Sequence, residues 1–432
     1  MQQMTEDDKI VNGDPLTGAS RRASEFNPYQ VFVVVLLALL QFTVVLDFMI
    51  LSPLSDILMK SLGMTTRQFG TVVSAYAFSA GIAGFLAAGF ADKFDRKKLL
   101  IFFYAGFIAG TVFCGLAGSY EALLAARIIT GIFGGVIGSV SMAIVTDLFT
   151  LQQRGRVMGF VQMAFAGSQV LGIPIGLYLA TKWNWHATFF MVVGISFVVG
   201  IFIVGKLKPI TDHLKVKNDK HALQHLWHTI RKKDYRTGFL ATAILTTGGY
   251  LLMPFTSAFL VNNVQISQED LPLVFLFTGI SSIIVMPLIG RISDRIDKYK
   301  LFTIGSLIAI VLIVVYTNLP PVTLMTVILV NVVLFMGVMS RMVPAMALNS
   351  AIPGIADRGA YMSINSSLQQ MAGGIAAVFA GFVVVQEGPG APLKNFDVLG
   401  YIMVGFMFWC LYLVYRVQRI LLSRASVHPH TT

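Results

Sequence analysis

GFADKFDRKKLL, residues 89–100, is a short charged interruption between two long apolar runs, and it has an echo: GRISDRIDKYKLF, residues 290–302, interrupts the chain in the same way. A second pair behaves alike, with RGRVMGF (154–160) matched by RGAYMSI (358–364). Asp92 and Asp294 are 202 residues apart, and Arg154 and Arg358 are 204 apart. Two unlike motifs recurring at nearly one offset indicate a duplicated unit with both copies in parallel orientation.

The runs between these interruptions set the class of protein. Of the 432 residues, 56% are hydrophobic and 12% charged, with mean hydropathy +0.74; a soluble domain carries about 25% charged residues. Segments of about 20 apolar residues, enough to cross a hydrocarbon core of about 30 Å, recur throughout. Spans are expected at 29–58, 66–91, 98–118, 121–146, 157–180, 187–206, 237–261, 271–290, 300–318, 321–347, 360–385 and 397–420. The expectation is an all-α membrane protein of twelve helices in two pseudo-symmetric six-helix bundles. Residues 29–206 form the first bundle and 237–420 the second, flanked by tails 1–28 and 421–432. The polar N-terminal 28 residues lack an apolar core followed by a small-residue cleavage site, so the first helix is expected to be retained. Cys114 and Cys410 both lie in apolar spans and say nothing about redox compartment.

Basic residues crowd the loops on the side of both termini, among them Lys93, Arg96, Lys97, Arg154, Arg156, Arg291, Arg295 and Arg358. The opposite side offers Lys60, Arg67, Lys182 and Lys394. The positive-inside rule makes the termini cytoplasmic, in a bacterial inner membrane. The net charge of +11 is then a topology signal meeting anionic lipid, not a nucleic-acid footprint. Residues 207–236 form a cytoplasmic linker with an amphipathic stretch, ALQHLWHTI, expected to lie on the membrane surface. His221, His225 and His228 there have no acidic or cysteine partner in the pattern, so no metal site is expected.

The interruptions also carry a resemblance. With Asp92, Lys93, Arg96 and Lys97 in the first copy and Gly290, Asp294, Arg295 and Lys298 in the second, the chain resembles the major facilitator superfamily over essentially its whole length. Ala88 stands where the first copy of the family's loop motif has glycine, and Asp95 and Asp297 replace a later glycine. The resemblance implies a monomeric secondary transporter working by alternating access, without cofactor, and Asp92, Arg96, Asp294 and Arg295 as parts of a conformational charge network. No glycine loop followed by Lys-Ser or Lys-Thr is present, which argues against an ATP-driven pump, and no catalytic constellation indicates an enzyme.

Two charges are embedded in apolar sequence. Asp47 lies roughly 27 Å along the first helix and Arg127 roughly 30 Å up the fourth from the same side, at 1.5 Å per residue. Ionisable groups at that depth are expensive and functional by default. A contact between them would be either a static pair or a proton switch, in which protonation of Asp47 releases Arg127. The pair matches the arginine motif of fourth helices in proton-driven exporters. Gly172, Pro174 and Gly176 resemble the antiporter motif of drug exporters and predict a bend at the bundle interface. Gly131, Gly134, Gly135 and Gly138 predict close helix packing.

Gln41, Gln162, Gln169, Asn331, Asn365, Gln369 and Gln370 are the uncharged polar candidates for a substrate cavity. Arg341 either snorkels to the surface or faces that cavity. The reading is proton-coupled efflux of a small organic or amphipathic compound, its partners being that compound, protons and lipid. The alternative is a lysolipid or organic-anion transporter similar to Spinster-type members, which a cavity-facing Arg341 would favour.

Overall fold

The computed structural model describes residues 26–215, 222–354 and 357–427. Twelve helices among them are long and apolar enough to cross a membrane. The first six are Pro28–Met49, Thr66–Ala87, Arg96–Leu116, Tyr120–Leu148, Gln152–Lys182 and Trp185–Lys206. The second six are Lys233–Asn262, Leu271–Arg295, Lys298–Thr317, Leu324–Ser350, Arg358–Val383 and Phe396–Arg424. They are called spans one to twelve below. Side chains that accept from the exposed first-turn N–H groups start several of them: Asn27 and Thr65 form capping boxes with Gln30 and Gln68, and Asp95, Ser119 and Asn184 cap spans three, four and six.

Span one is shorter than the expected 29–58. Its helix ends at Met49, the chain turns through Pro53, and a separate helix, Ser55–Leu62, follows and is closed by Gly63 at φ +60°. Proline has no N–H to continue the ladder, which is why the single helix fails here. Span seven breaks at the corresponding place. Pro254 sits in a 3₁₀ turn, Met253–Phe255, that separates Lys233–Leu252 from Thr256–Asn262. Pro53 and Pro254 are one repeat apart, so the duplication reaches these breaks as well.

The two broken ends meet on the face opposite the termini. Ser52 Oγ donates to the Met253 carbonyl, and the Ala258 N–H donates to Ser55 Oγ at 3.2 Å. Beside them Asp56, 1% exposed, accepts from Lys60 Nζ at 2.8 Å, Asn262 Nδ2 at 2.6 Å and Gln268 Nε2 at 2.5 Å. Two of those three donors belong to the other bundle. A two-stranded hairpin, Val385–Gln386 paired with Leu393–Lys394, folds over this junction and is held by Asn263, whose side chain bonds both the N–H and the carbonyl of Leu393.

Spans two and eleven then run together from this face inward. Gly70 lies against the Ala377 carbonyl and Gly381, and Phe78 lies on Gly374, approaches that only a missing Cβ permits. Val170 of span five fills the space at Gly279 of span eight. The apolar cores report the same asymmetry. One cluster in the half away from the termini joins both bundles, from Leu46 and Leu58 to Leu251 and Phe255. Elsewhere the core divides by bundle, with one cluster in the first and two in the second.

On the terminal face the linker helix, Ala222–Arg231, packs on spans eleven and two with Leu226 and Thr229 buried and Trp227 outward. Its apolar side is therefore occupied by the protein, a correction to the expected membrane-surface placement; His221 lies outside the described residues. Asp357 anchors it, accepting from His225 Nε2 at 3.1 Å, Lys232 Nζ at 2.5 Å and Tyr235 OH at 2.7 Å. The Lys232 ammonium holds the Asp357 carboxyl well below the usual carboxylate range, helped by Tyr235, and the same bond raises Lys232.

The Asp56 junction should act as a latch. Replacing Asp56 with Ala leaves Asn262 and Gln268 without their shared acceptor, so the far face should open more often. With Cys114 and Cys410 removed and Ser52 replaced by Cys, labelling by a membrane-impermeant maleimide should rise several-fold in the Asp56→Ala background. Unchanged labelling would show that apolar packing alone keeps the face shut.

Candidate functional site

The buried charges of spans one and four meet. Arg127 Nη1 donates to Asp47 Oδ2 at 2.7 Å and to the Asp47 carbonyl at 3.3 Å, and both residues are 0% exposed. Helix geometry brings them together: each is the core-facing residue of its span at one depth, and Gly131, Gly134 and Gly135 let span four close on Tyr76, Ser79 and Ala80 of span two. Gly138, the fourth of that series, faces open space.

Neighbouring spans complete the pocket. Thr111 of span three donates to Asp47 Oδ1 at 3.3 Å while also bonding the Phe107 carbonyl. The Tyr76 ring lies under the guanidinium, 4.4 Å from its central carbon, a cation–π contact strengthened by exclusion of water. The Phe48 ring packs, tilted, against Tyr76 at 5.2 Å and against Tyr250 of span seven at 5.9 Å, so the pocket wall continues into the other bundle. Arg127 Nε and Nη2 have no acceptor within hydrogen-bond reach. The arginine is thus held by one arm only, through a single carboxylate.

The antiporter-like segment of span five lies beside this pair. Ser168–Gly172 is a π turn, tied to span one by Ser168 Oγ donating to the Phe42 carbonyl at 3.1 Å, and Pro174 opens the helix that follows. Gly172 and Gly176 face Leu46 and Ile50 of span one. The small residues therefore bring span five against its own bundle, while Val170, on the other side of the turn, makes the contact with span eight.

A cavity of about 310 Å³ lies in the terminal half of the second bundle, among spans seven, ten, eleven and twelve. Asn365 and Gln369 line it together with Thr242, Thr246 and Asn349. Gln41, Gln162, Gln169 and Asn331 do not. Gln162 is exposed, Gln41 and Gln169 are half-buried on spans one and five, and Asn331 turns back to donate to the Val327 carbonyl at 3.1 Å. Arg341 neither snorkels nor faces the cavity: it is 3% exposed, its Nε donates to Ser306 Oγ at 3.2 Å, and its guanidinium lies 5.7 Å from the Phe302 ring. Span nine thus takes the charge that the cavity was expected to use.

The two loop motifs behave differently. Arg96 is buried, with Nε 3.1 Å from Asp147 Oδ2 at the end of span four and Nη1 donating to the Ala91 carbonyl; His213 Nδ1 lies 3.3 Å from the same carboxylate oxygen. Among the described residues this network ties the first bundle to the start of the linker. The side chain of Asp92 lies outside the described residues. Asp294 and Arg295 are exposed and make no ion pair among the described residues. The cause is in the sequence: one repeat beyond Asp147 stand Asn349, Ser350 and Ala351, none of them acidic.

Sequence reading missed Thr111, Tyr76, Phe48 and Tyr250 around the ion pair, Asn349 in the cavity and Asp56 at the latch. The repeat of Pro53 at Pro254 was the available signal for the latch. Nothing in a single sequence marks Thr111 or Phe48 among so many threonines and phenylalanines.

Comparison with known proteins agrees with this architecture. The sequence profile described as Major Facilitator Superfamily matches residues 37–377 and 238–426. An uncharacterised MFS-type transporter of Bacillus subtilis, YceJ, is 24% identical over 269 residues, 62% of this chain and 68% of that protein. Among solved structures, a bacterial homologue of the human lysosomal transporter Spinster, inward-facing and unoccupied, superposes with TM-score 0.73 at 17% identity, covering 92% of this chain and 99% of its own. The human organic anion transporter MFSD10 superposes with TM-score 0.62 at 17% identity, covering 90% and 100%.

Removing one partner of a buried pair strands the other charge, a loss of about 3–5 kcal/mol, whereas replacing both with apolar residues is often neutral. Arg127→Leu should therefore lower the thermal unfolding temperature of the detergent-purified protein markedly, and Asp47→Leu combined with Arg127→Leu should recover most of the loss. Equal losses in single and double variants would mean that the two charges are not energetically coupled.

Proposed function

Because this chain belongs to the Major Facilitator Superfamily, we propose that it is a proton-coupled exporter of a small organic or amphipathic compound. In this reading the protein is a monomer in a bacterial inner membrane, with its termini cytoplasmic as the basic residues suggest. The observation that carries the reading is the Asp47–Arg127 pair, 2.7 Å apart and fully buried between spans one and four of the first bundle.

The present arrangement, shut on the far face, supports the following cycle. Opening that face separates the broken ends of spans one and seven and removes Tyr250 from Phe48, which admits water to Asp47. A proton taken there neutralises the carboxylate, and Arg127 loses the one acidic partner it has among the described residues. Resealing the far face dries the site, where an uncompensated guanidinium is strongly unfavourable, and so favours release of the Asp47 proton and renewed pairing with Arg127. The proton leaves towards the terminal side as Asp47 and Arg127 re-pair and the shared apolar core closes again. Bundle motion and proton passage are thereby linked through one carboxylate.

The organic-anion alternative needs a cation on the cavity wall. Arg341 bonds Ser306 instead, so it lends no support to that alternative, a lysolipid or organic-anion transporter of Spinster-like type.

Proteoliposomes under an imposed pH gradient, challenged with a panel of amphipathic compounds, test the proposal. A compound transported by the parent protein should drive proton movement, and in Asp47→Asn that movement should fall to the protein-free leak. Equal proton movement in parent and variant would remove Asp47 from the mechanism.

A further inference from the structure

Resting on the transporter reading above, we infer that the cavity of the second bundle binds an uncharged amphipathic molecule by a carbonyl or similar acceptor oxygen, with the Asn365 amide as the principal donor. The first reason is charge. Among the described residues no ionisable side chain lines the cavity, and Arg341, although it adjoins the lining residue Met342 in sequence, is directed to Ser306 and Phe302. A charged group entering this space would be stripped of water and given no counter-charge.

The second reason is how the hydrogen bonds are already used. Asn349 Nδ2 donates to Thr242 Oγ1 and to Asn365 Oδ1, the latter at 3.2 Å, while Asn349 Oδ1 accepts from Tyr361 OH at 2.5 Å. Both amide hydrogens of Asn349 and one lone pair of its oxygen are therefore in use, and it serves as a bracket. It commits the oxygen of Asn365 to the protein and leaves the Asn365 NH₂ group on the cavity wall with no partner among the described residues. Gln369 and Thr246 also line the cavity without bonding any described residue. An acceptor on the ligand would meet Asn365, and an adjacent donor or acceptor would meet the unrestricted Gln369 amide or Thr246 hydroxyl.

The third reason is the remainder of the wall. Met342, Met346 and Met362 line the space, flexible and polarisable side chains that adapt to an apolar body of variable shape. The volume of about 310 Å³ is at the small end of sites for organic ligands. A compact apolar body with one polar, neutral end fits this surface.

Equilibrium dialysis of the full-length protein in detergent at neutral pH tests the inference with three probes that share one apolar body: 4-butylbenzamide, 4-butylbenzoate and 4-butylbenzylammonium. The amide should bind at least several-fold more tightly than either charged probe. Asn365→Leu, similar in size but without the donor, should weaken amide binding by up to about tenfold, the loss of one buried hydrogen bond. Gln369→Leu, whose side chain holds no other part of the protein, should weaken it less and provides the reading if Asn365→Leu does not fold. A charged probe binding as well as the amide, an amide that shows no saturable binding, or Leu variants that bind like the parent would each overturn the inference. No gradient or proton movement enters this measurement, so its failure is distinct from a failure of proton coupling.

Discussion

An arginine at lipid depth must have a partner, and Arg127 has one carboxylate. That constraint organises the first bundle: spans one, three and four converge on Asp47, and Tyr76 of span two closes the pocket from below the guanidinium. It also reaches beyond that bundle, because Phe48 lies between Tyr76 and Tyr250. The state of one ion pair and the closure of the far face are packed against each other through three aromatic rings.

The duplication makes the division of labour visible. One repeat beyond Asp47 stand Gly249, Tyr250 and Leu251, and one repeat beyond Arg127 stand Leu329, Val330 and Asn331. The second bundle has the same helices without charges at those positions; elsewhere it holds the buried Arg341 and the neutral polar bracket of Asn349, Thr242 and Asn365. The same divergence removes the partner of the second loop motif, where Asp147 gives way to uncharged residues. What both copies retain is the proline break, Pro53 and Pro254, because the two broken ends build a single junction across the pseudo-two-fold axis.

Much of this was legible in the sequence. Apolar runs gave the number of spans, repeated motifs gave the two bundles, and counting residues from the ends put Asp47 and Arg127 at one depth. Each of these depends on local composition or on rise per residue, quantities that a sequence contains. Arg341 was not resolved because depth along a helix does not fix rotation towards one neighbour or another, and Ser306 gives no signal of its own. The same holds for the polar cavity candidates: polarity does not fix rotation, and of that set Asn365 and Gln369 are on the wall of the second-bundle cavity, while Gln41, Gln162, Gln169 and Asn331 are not. The latch at Asp56 was hidden inside a run long enough to be read as one helix, although Pro53 marked its end.

Difference infrared spectroscopy of the reconstituted protein tests the central claim most directly, since a protonated carboxylic acid has a C=O stretch that an ionised carboxylate lacks. Acidifying the far side, in a variant held open there by loss of the Asp56 latch, should produce such a band, and Asp47→Asn should abolish it. A spectrum in which Asp47 stays ionised in every state, with Arg127 paired throughout, would contradict the account and leave the pair as a fixed brace.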